Sequence, residues 1–401
     1  MQVIRCVALI DRAGSFDLEL EGGRVRAVLP CASAAPPRWL AMPSMVNLHA
    51  HANRAYAASS QRPASLGDAV ACARRERAGA SAEVVRARAV RLFDKSIAHG
   101  VSSVRTHTDI DPVTGMRAID GVLAAAADVR ASLDVEVVAF ASAAADPSEP
   151  ETRALFAEAV GQGASLIGAV PALSARPAAA LEALLDAALA LEVPLDVHLD
   201  EHLEASNALI HRLVDGTLAR GLQSRVTVSH ACVLSAMARD DVRRLLDRMA
   251  EAAIVLVVLP ELNLYLQSRG DAAPRLRGLA PVVDALKAGV AVRFGTDNVR
   301  DWFFPFGDGD MLETGFVGAM AAHVDAAEEL GALICGGRRR IEAGDVADLL
   351  LVPASSFDDA LARRPDGRVL LRRGRVVAPT ATAAGASSPH SGHGGLVEAL
   401  D

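Results

Sequence analysis

Lysine is almost missing from this 401-residue chain: of 41 basic residues only Lys95 and Lys287 are lysines. Cysteine is sparse too. The five thiols (Cys6, Cys31, Cys72, Cys232 and Cys335) are odd in number and form no CxxC pair. That spacing predicts reduced cysteines, with neither a disulfide framework nor a cysteine zinc site. No stretch reaches the roughly 18 consecutive apolar residues that a membrane helix needs. The amino-terminal MQVIRCVALIDRAG carries an arginine within a short apolar run and lacks the core of a signal peptide, so the cytoplasm is the expected location. Positive charge is not in excess: the formal net charge is −8, which argues against nucleic acid or an anionic membrane as partner and leaves a small molecule.

What is abundant is apolar residue, 51% of the chain, enough to bury a large core without covalent staples. Its arrangement changes along the chain. Residues 2–10, 17–21 and 23–29 alternate with period two between Gly and Asp, as short antiparallel strands do. Similar runs return at 347–352, 368–371 and 374–377. The two ends are therefore expected to form one small β-sandwich, from residues 1–42 and 336–378. The tail at 379–401, rich in Ala, Ser, Gly and Pro, reads as disordered and takes His390 and His393 with it.

Between the ends, apolar strand-like runs alternate with alanine- and leucine-rich helical stretches. The strands are expected at 44–49, 102–106, 135–140, 165–170, 195–198, 225–230, 254–259 and 290–295, with helices at, for instance, 178–191, 203–219 and 236–251. Eight strand–helix units over residues 43–335 predict an α/β fold of the (β/α)8 barrel type. A doubly wound open sheet competes, but no GxGxxG follows the first strand.

The polar residues at the strand ends carry the chemistry. His49 and His51 form an HxH at the end of the first strand, where alternation puts both imidazoles on one face. Alone that pair is weak. The fifth strand ends in Asp196-Val197-His198-Leu199-Asp200-Glu201-His202. A histidine at the strand tip with Glu201 three residues on suits a metal ligand beside a proton shuttle; Asp200 and Glu204 are equally well read as the acidic first turn of the next helix. The sixth strand ends in His230, and the eighth runs into Asp297. Four separate strands thus place His or Asp at their carboxyl ends, the face on which barrel enzymes assemble their sites.

These strings resemble a known family. MPSMVNLHAH, DVHLDE, the Ser229-His230-Ala231 segment and GTDN before a Trp-containing loop are similar to the amidohydrolase superfamily, and within it to the cytosine deaminase branch. VRTHTDID, LNLYLQSR, GTDNVRDWFFPFGDGDM and AGDVADLLLV extend the likeness over roughly residues 40 to 378. The resemblance implies a single divalent metal, zinc or iron, held by His49, His51, His198 and Asp297. It implies Glu201 as the acid/base, and His230, with Asp297, as the group that orients and helps deprotonate the attacking water. His107 and Asp109 match a segment near the barrel mouth. Many members bridge two metals with a carbamylated lysine, but Lys95 and Lys287 both fall in helical stretches, which excludes that centre.

Three histidines and one carboxylate leave the ion Lewis-acidic enough to bring a water's pKa toward neutrality. The implied activity is aminohydrolysis of a cyclic amidine or amino-substituted N-heterocycle, with Glu201 passing protons to the ring nitrogen and the leaving amine. Two departures speak against cytosine itself. Ser142 stands where the branch has a glutamine, and Asn298 where it has a second aspartate. Alternatives are removal of an N-alkylamino group, as in isopropylammelide hydrolases, a cyclic amidase, or a barrel that binds without turnover. Glu261, Asn263 and Gln267 are candidate substrate contacts, and Trp302 either stacks on the ring or packs. The stretch 312–341 is shorter than in the family, which would open one side of the barrel or leave it to another subunit of a homo-oligomer.

Overall fold

The computed structural model describes residues 1–33, 35–57, 63, 66–142 and 144–377. The calls on the tail, including His390 and His393, lie outside the described residues.

Eight parallel strands follow one another in chain order: β1 Met45–Ala50, β2 Val101–Ile110, β3 Asp134–Ala141, β4 Leu166–Ala169, β5 Leu195–Leu199, β6 Val226–His230, β7 Val255–Val258 and β8 Ala291–Phe294. A parallel bridge between Ala50 and Asp297 brings the last strand back to the first. The Asp297 amide donates to the His49 carbonyl at 2.9 Å. The expected (β/α)8 barrel is therefore present, with all eight strands where the apolar runs put them. Strand interiors such as Val197, Val228, Leu256 and Val292 are fully buried, as strands covered on both faces require.

The chain ends meet as expected, with one refinement. Gln2–Val7, Phe16–Glu21 and Arg24–Pro30 form one antiparallel sheet. The second sheet pairs Leu40–Pro43 with Leu349–Val352, followed by Val369–Arg372 and Arg375–Val377. Ile4, Leu18, Leu20, Leu349, Leu351 and Leu371 make a separate small core between them.

Three expectations are corrected. Cys6 and Cys31 are joined in a disulfide. The turn back through Phe16–Glu21 folds these positions, 25 residues apart, to a Cα separation of 5.4 Å, which spacing in sequence does not reveal. The helix expected at 203–219 starts only at Ile210, after a short 3-10 turn at Ala205–Asn207. Asp200 caps it, accepting the Leu209 and Ile210 amides at 2.9 to 3.0 Å. Finally, the 312–341 stretch covers the barrel where its last strand meets its first: helices Met311–Ala322 and Ala327–Ile334 both pack against β8 and β1. Among the described residues no helix is long and apolar enough to cross a membrane.

Candidate active site and metal centre

The carboxyl ends of β1, β5, β6 and β8 converge. His49, His51, His198, His230 and Asp297 all lie at this end, none more than 5% exposed. Strand geometry places them. His49 and Ala50 close β1 with His51 next to them, and His198 is the penultimate residue of β5. His230 and Asp297 each have a positive φ, 72° and 59°, so each leaves its strand sharply and turns its side chain inward. Such backbone is costly in non-glycine residues and concentrates at functional sites. Gly295, two residues before Asp297, permits the close approach of β8 to β1: a Cβ there would lie 2.7 Å from that of His49.

One oxygen of Asp297 lies 3.3 Å from His51 Nε2 and 3.6 Å from His49 Nε2; the other lies 3.7 Å from His230 Nε2. The Nε2 atoms of His51 and His198 face each other at 3.2 Å. His49 Nε2, His230 Nε2 and both Asp297 oxygens are buried without a hydrogen-bond partner. Orphaned buried acceptors are costly. A cation beside His49 Nε2 and the Asp297 oxygens satisfies these acceptors together, so the residues present fit a metal. Candidate ligand atoms fall in two overlapping groups, one of His49, His51, His107 and His198, the other of His49, His230 and Asp297.

The surrounding shell sets the tautomers. His51 Nδ1 lies 3.2 Å from the His107 carbonyl, so it donates there and leaves Nε2 bare. His49 Nδ1 is 2.8 Å from Ser229 Oγ, and that hydroxyl donates to Asp196 at 3.3 Å. Asp196 is fully buried, also takes Arg105 Nη1 at 2.9 Å, and faces His107 Nε2 at 3.1 Å. Backing of this kind orients metal ligands and raises their basicity. His107 thus touches both the ligand cluster and its support.

Burial and mutual repulsion hold the imidazoles neutral: His51 and His230 are pushed down to about 3, and His107 to about 4, chiefly by desolvation. Burial opposes ionisation of the Asp297 carboxyl, but charge and hydrogen bonding from His49, and then from His51, keep it well below the usual range. Neutral imidazole and ionised carboxylate are the forms a cation needs. Glu201 shifts the other way, to about 8, through burial and then the charge of Asp297. Its Oε1 lies 3.6 Å from His230 Nδ1.

A cavity of about 280 Å³ opens in front of this centre. His51, His198, Glu201, His230 and Asp297 form its floor. Ser142 and Asn298 line it, as does the apolar group Phe140, Val170, Leu173 and Leu262. The Ser142 hydroxyl is buried without a partner. Five other sequence candidates for substrate contact are not among the lining residues. Glu261 accepts from Thr314 at 3.0 Å, Asn263 sits behind His230 at 3.1 Å from Nδ1, and Gln267 donates to the Glu201 carbonyl at 3.2 Å. Trp302 is passed over in favour of its neighbour Phe303, which does line the cavity. His107 is also off the wall, and Asp109 lies behind it, accepting from Asn53 at 2.7 Å. Asn298 donates to Asp301, a short contact that anchors its side chain.

Sequence reasoning passed over Arg54, Asp196 and Ser229. The last two had a legible signal, since each stands within two residues of a candidate histidine on a strand. Arg54 and the helical Arg74 and Arg77, which complete the cavity wall, had none.

A closed barrel with a buried histidine–aspartate cluster at the carboxyl ends of its strands defines a (β/α)8 protein whose site could hold a metal ion. The chain belongs to the amidohydrolase family, whose model matches residues 69–378. It is 28% identical to a pterin deaminase of Rhizobium rhizogenes over 387 residues, covering 90% of this chain and 87% of that one. Its structure is similar to the solved N-isopropylammelide isopropylaminohydrolase of Burkholderia multivorans, at TM-score 0.79 and 28% identity over 94% of this chain and 99% of the other. The fold is also that of a 5-methylcytosine deaminase from Klebsiella pneumoniae, TM-score 0.84 at 24% identity, covering 94% and 97% of the two chains.

Proposed function

We propose that this protein is an aminohydrolase that uses one divalent ion, zinc or iron, to release ammonia from an amino-substituted N-heterocycle other than cytosine. The observation that carries the reading is the pairing of Glu201, raised to about 8, with a cluster of buried, unpaired metal-type donors beside one cavity. His49, His51, His198 and Asp297 are the ligands in this reading. The ion, when bound, supplies a Lewis acid that makes a water nucleophilic near neutral pH.

The chain's own residues do the rest. Glu201 enters in its acid form and gives its proton to the ring nitrogen beside the amino-bearing carbon as water adds to that carbon. The carboxylate so formed takes both protons of the added water in turn, returning the first to the amino group and keeping the second, so Glu201 ends in its acid form. The carbon–nitrogen bond breaks, a ring carbonyl forms, and ammonia leaves; one water is consumed. Donation from the Asn263 amide to His230 Nδ1, 3.1 Å away, keeps the histidine's proton on Nε2, aimed at Asp297 and the reacting water. His230 then orients by donating a hydrogen bond. Ser142 and Asn298 meet the ring edge. The activities of the pterin deaminase and isopropylammelide relatives support a ring substrate.

The apolar flank of Val170, Leu173 and Leu262 favours one second reading, an N-alkylamino leaving group. The same assay separates the two. Metal-loaded protein is offered a panel of amino- and alkylamino-pteridines, pyrimidines and triazines, and ammonia and free amine are measured. Release of ammonia supports the first reading and release of amine the second. Release of neither sinks both.

A further inference from the structure

The cavity is also walled by Arg54 from the loop after β1 and by Arg74 and Arg77 from the helix Leu66–Gly79. Neither the cluster at the metal nor the proposed proton transfers use them. Their placement is unusual for guanidinium groups. Arg54 and Arg77 have side chains only 15% and 13% exposed. Burying a cation this far costs free energy unless something pairs with it.

Their carboxylate partners hold them from behind. Arg54 lies 3.7 Å from Asp109 and 3.5 Å from Asp301, and Arg77 lies 3.7 Å from Asp109 and 2.8 Å from Asp111. None of these three aspartates lines the cavity. Asp109 instead faces a smaller space on the far side of the two arginines. Three of the four contacts exceed hydrogen-bond length, and Arg54 Nε is buried without a hydrogen-bond partner. The guanidinium plane of Arg54 is held from a further side by Phe303, with Cζ 4.8 Å from the ring centre. Arg74, exposed on the same helix, has no ion pair among the described residues. Pre-positioned guanidiniums with spare N–H groups match a planar oxyanion, which they bind through two parallel hydrogen bonds.

We propose that Arg54, Arg74 and Arg77 form a subsite for an anionic substituent, so that the substrate is a ring amine carrying a carboxylate on the edge away from its amino group. The inference rests on the aminohydrolase reading for the identity of the ring, but not for the anion. A cavity of about 280 Å³ admits one small ring system with its substituent, near the lower end of ordinary ligand pockets. The amino-bearing carbon then lies over His51, His198 and Asp297, and the carboxylate meets the arginine wall.

The test uses matched pairs of rings, 2-aminopteridin-4-one and a 4-aminopyrimidin-2-one, each with and without a carboxylate on the edge remote from the amino group. Turnover is followed by ammonia release, and binding separately by calorimetry on metal-loaded wild type, Arg74→Ala, Arg77→Lys and Arg54→Lys. The carboxylated member of a pair is expected to bind at least tenfold more tightly than the neutral one. That ratio is expected to fall about tenfold in Arg74→Ala or Arg77→Lys, because each lost charged hydrogen bond weakens binding by about that factor. Arg74 is exposed, so its alanine variant does not threaten the fold. Neutral rings turned over as well as acidic ones, with the ratio unmoved by the arginine variants, would overturn the subsite and leave the aminohydrolase reading standing. Preferential binding of the acidic ring without any turnover would support the subsite and sink the aminohydrolase. Binding of neither member overturns the subsite as well.

Discussion

Glu201 and His230 face each other with 3.6 Å between Oε1 and Nδ1, and burial moves their protonation in opposite senses. Glu201 rises to about 8 and His230 falls to about 3, so at neutral pH the carboxyl holds its proton and the imidazole takes none. Two groups with separated pKa values in one site divide the work between an acid and a neutral donor.

Replacing Glu201 by Gln keeps the volume and the burial but removes the transferable proton. Metal content, measured by elemental analysis, is expected to stay at about one equivalent, since Glu201 is not among the grouped ligand atoms. Turnover is expected to fall by about 10² to 10⁴, the usual contribution of an acid/base residue. Unchanged turnover would remove Glu201 from the reaction.

The pH profile follows from the same group. Glu201 is needed first as an acid and is protonated below about 8. The rate at limiting substrate is expected to decline as pH rises through that value, and in Glu201→Gln the alkaline limb disappears from whatever activity remains. A wild-type profile flat to pH 10 contradicts this assignment.

Asp196 touches no substrate in this reading; it holds Ser229, which holds His49, and it faces His107. Asp196→Asn is expected to loosen the metal by about 10- to 100-fold in a chelator competition, the typical effect of losing a ligand's hydrogen-bond support. Retained affinity would reduce the relay to packing.

Glu261 separates stability from catalysis. Its carboxyl rises to about 8 because it is buried and lies near Glu313. A carboxyl raised above its unfolded value contributes stability at low pH and loses it as pH climbs from about 4.5 through about 8. Glu261→Gln is expected to match the wild-type melting temperature at pH 5 and exceed it at pH 9, with the metal site intact. A fall in melting temperature at pH 9 would show that the Thr314 hydrogen bond outweighs the buried charge.

At Gly295 even a methyl group meets His49, with Cβ atoms 2.7 Å apart and the His49 amide at 3.2 Å. Gly295→Ala is expected to cost about 1 to 3 kcal/mol, the range for overpacking, and to weaken metal binding by shifting β1 from β8. Chemical denaturation and metal titration read both effects.

The barrel and the outline of its histidine–aspartate cluster were already legible along the chain. Period-two and apolar-run patterns are local, and residues at strand tips inherit their common face from the fold, so His49, His51, His198, His230 and Asp297 were legible together. Asp200 was legible in both its readings, and the structure chose the helix cap. The tertiary structure decided what depends on long-range placement. The Cys6–Cys31 bond needs the return of an antiparallel sheet. The choice of Phe303 over Trp302 depends on which way one loop turns its side chains. The arginine wall joins a loop to a helix that no spacing rule connects to β8. Pattern repeats with the period of a strand or helix and is readable along the chain; charge and contact across a cavity depend on positions brought together only when the barrel closes.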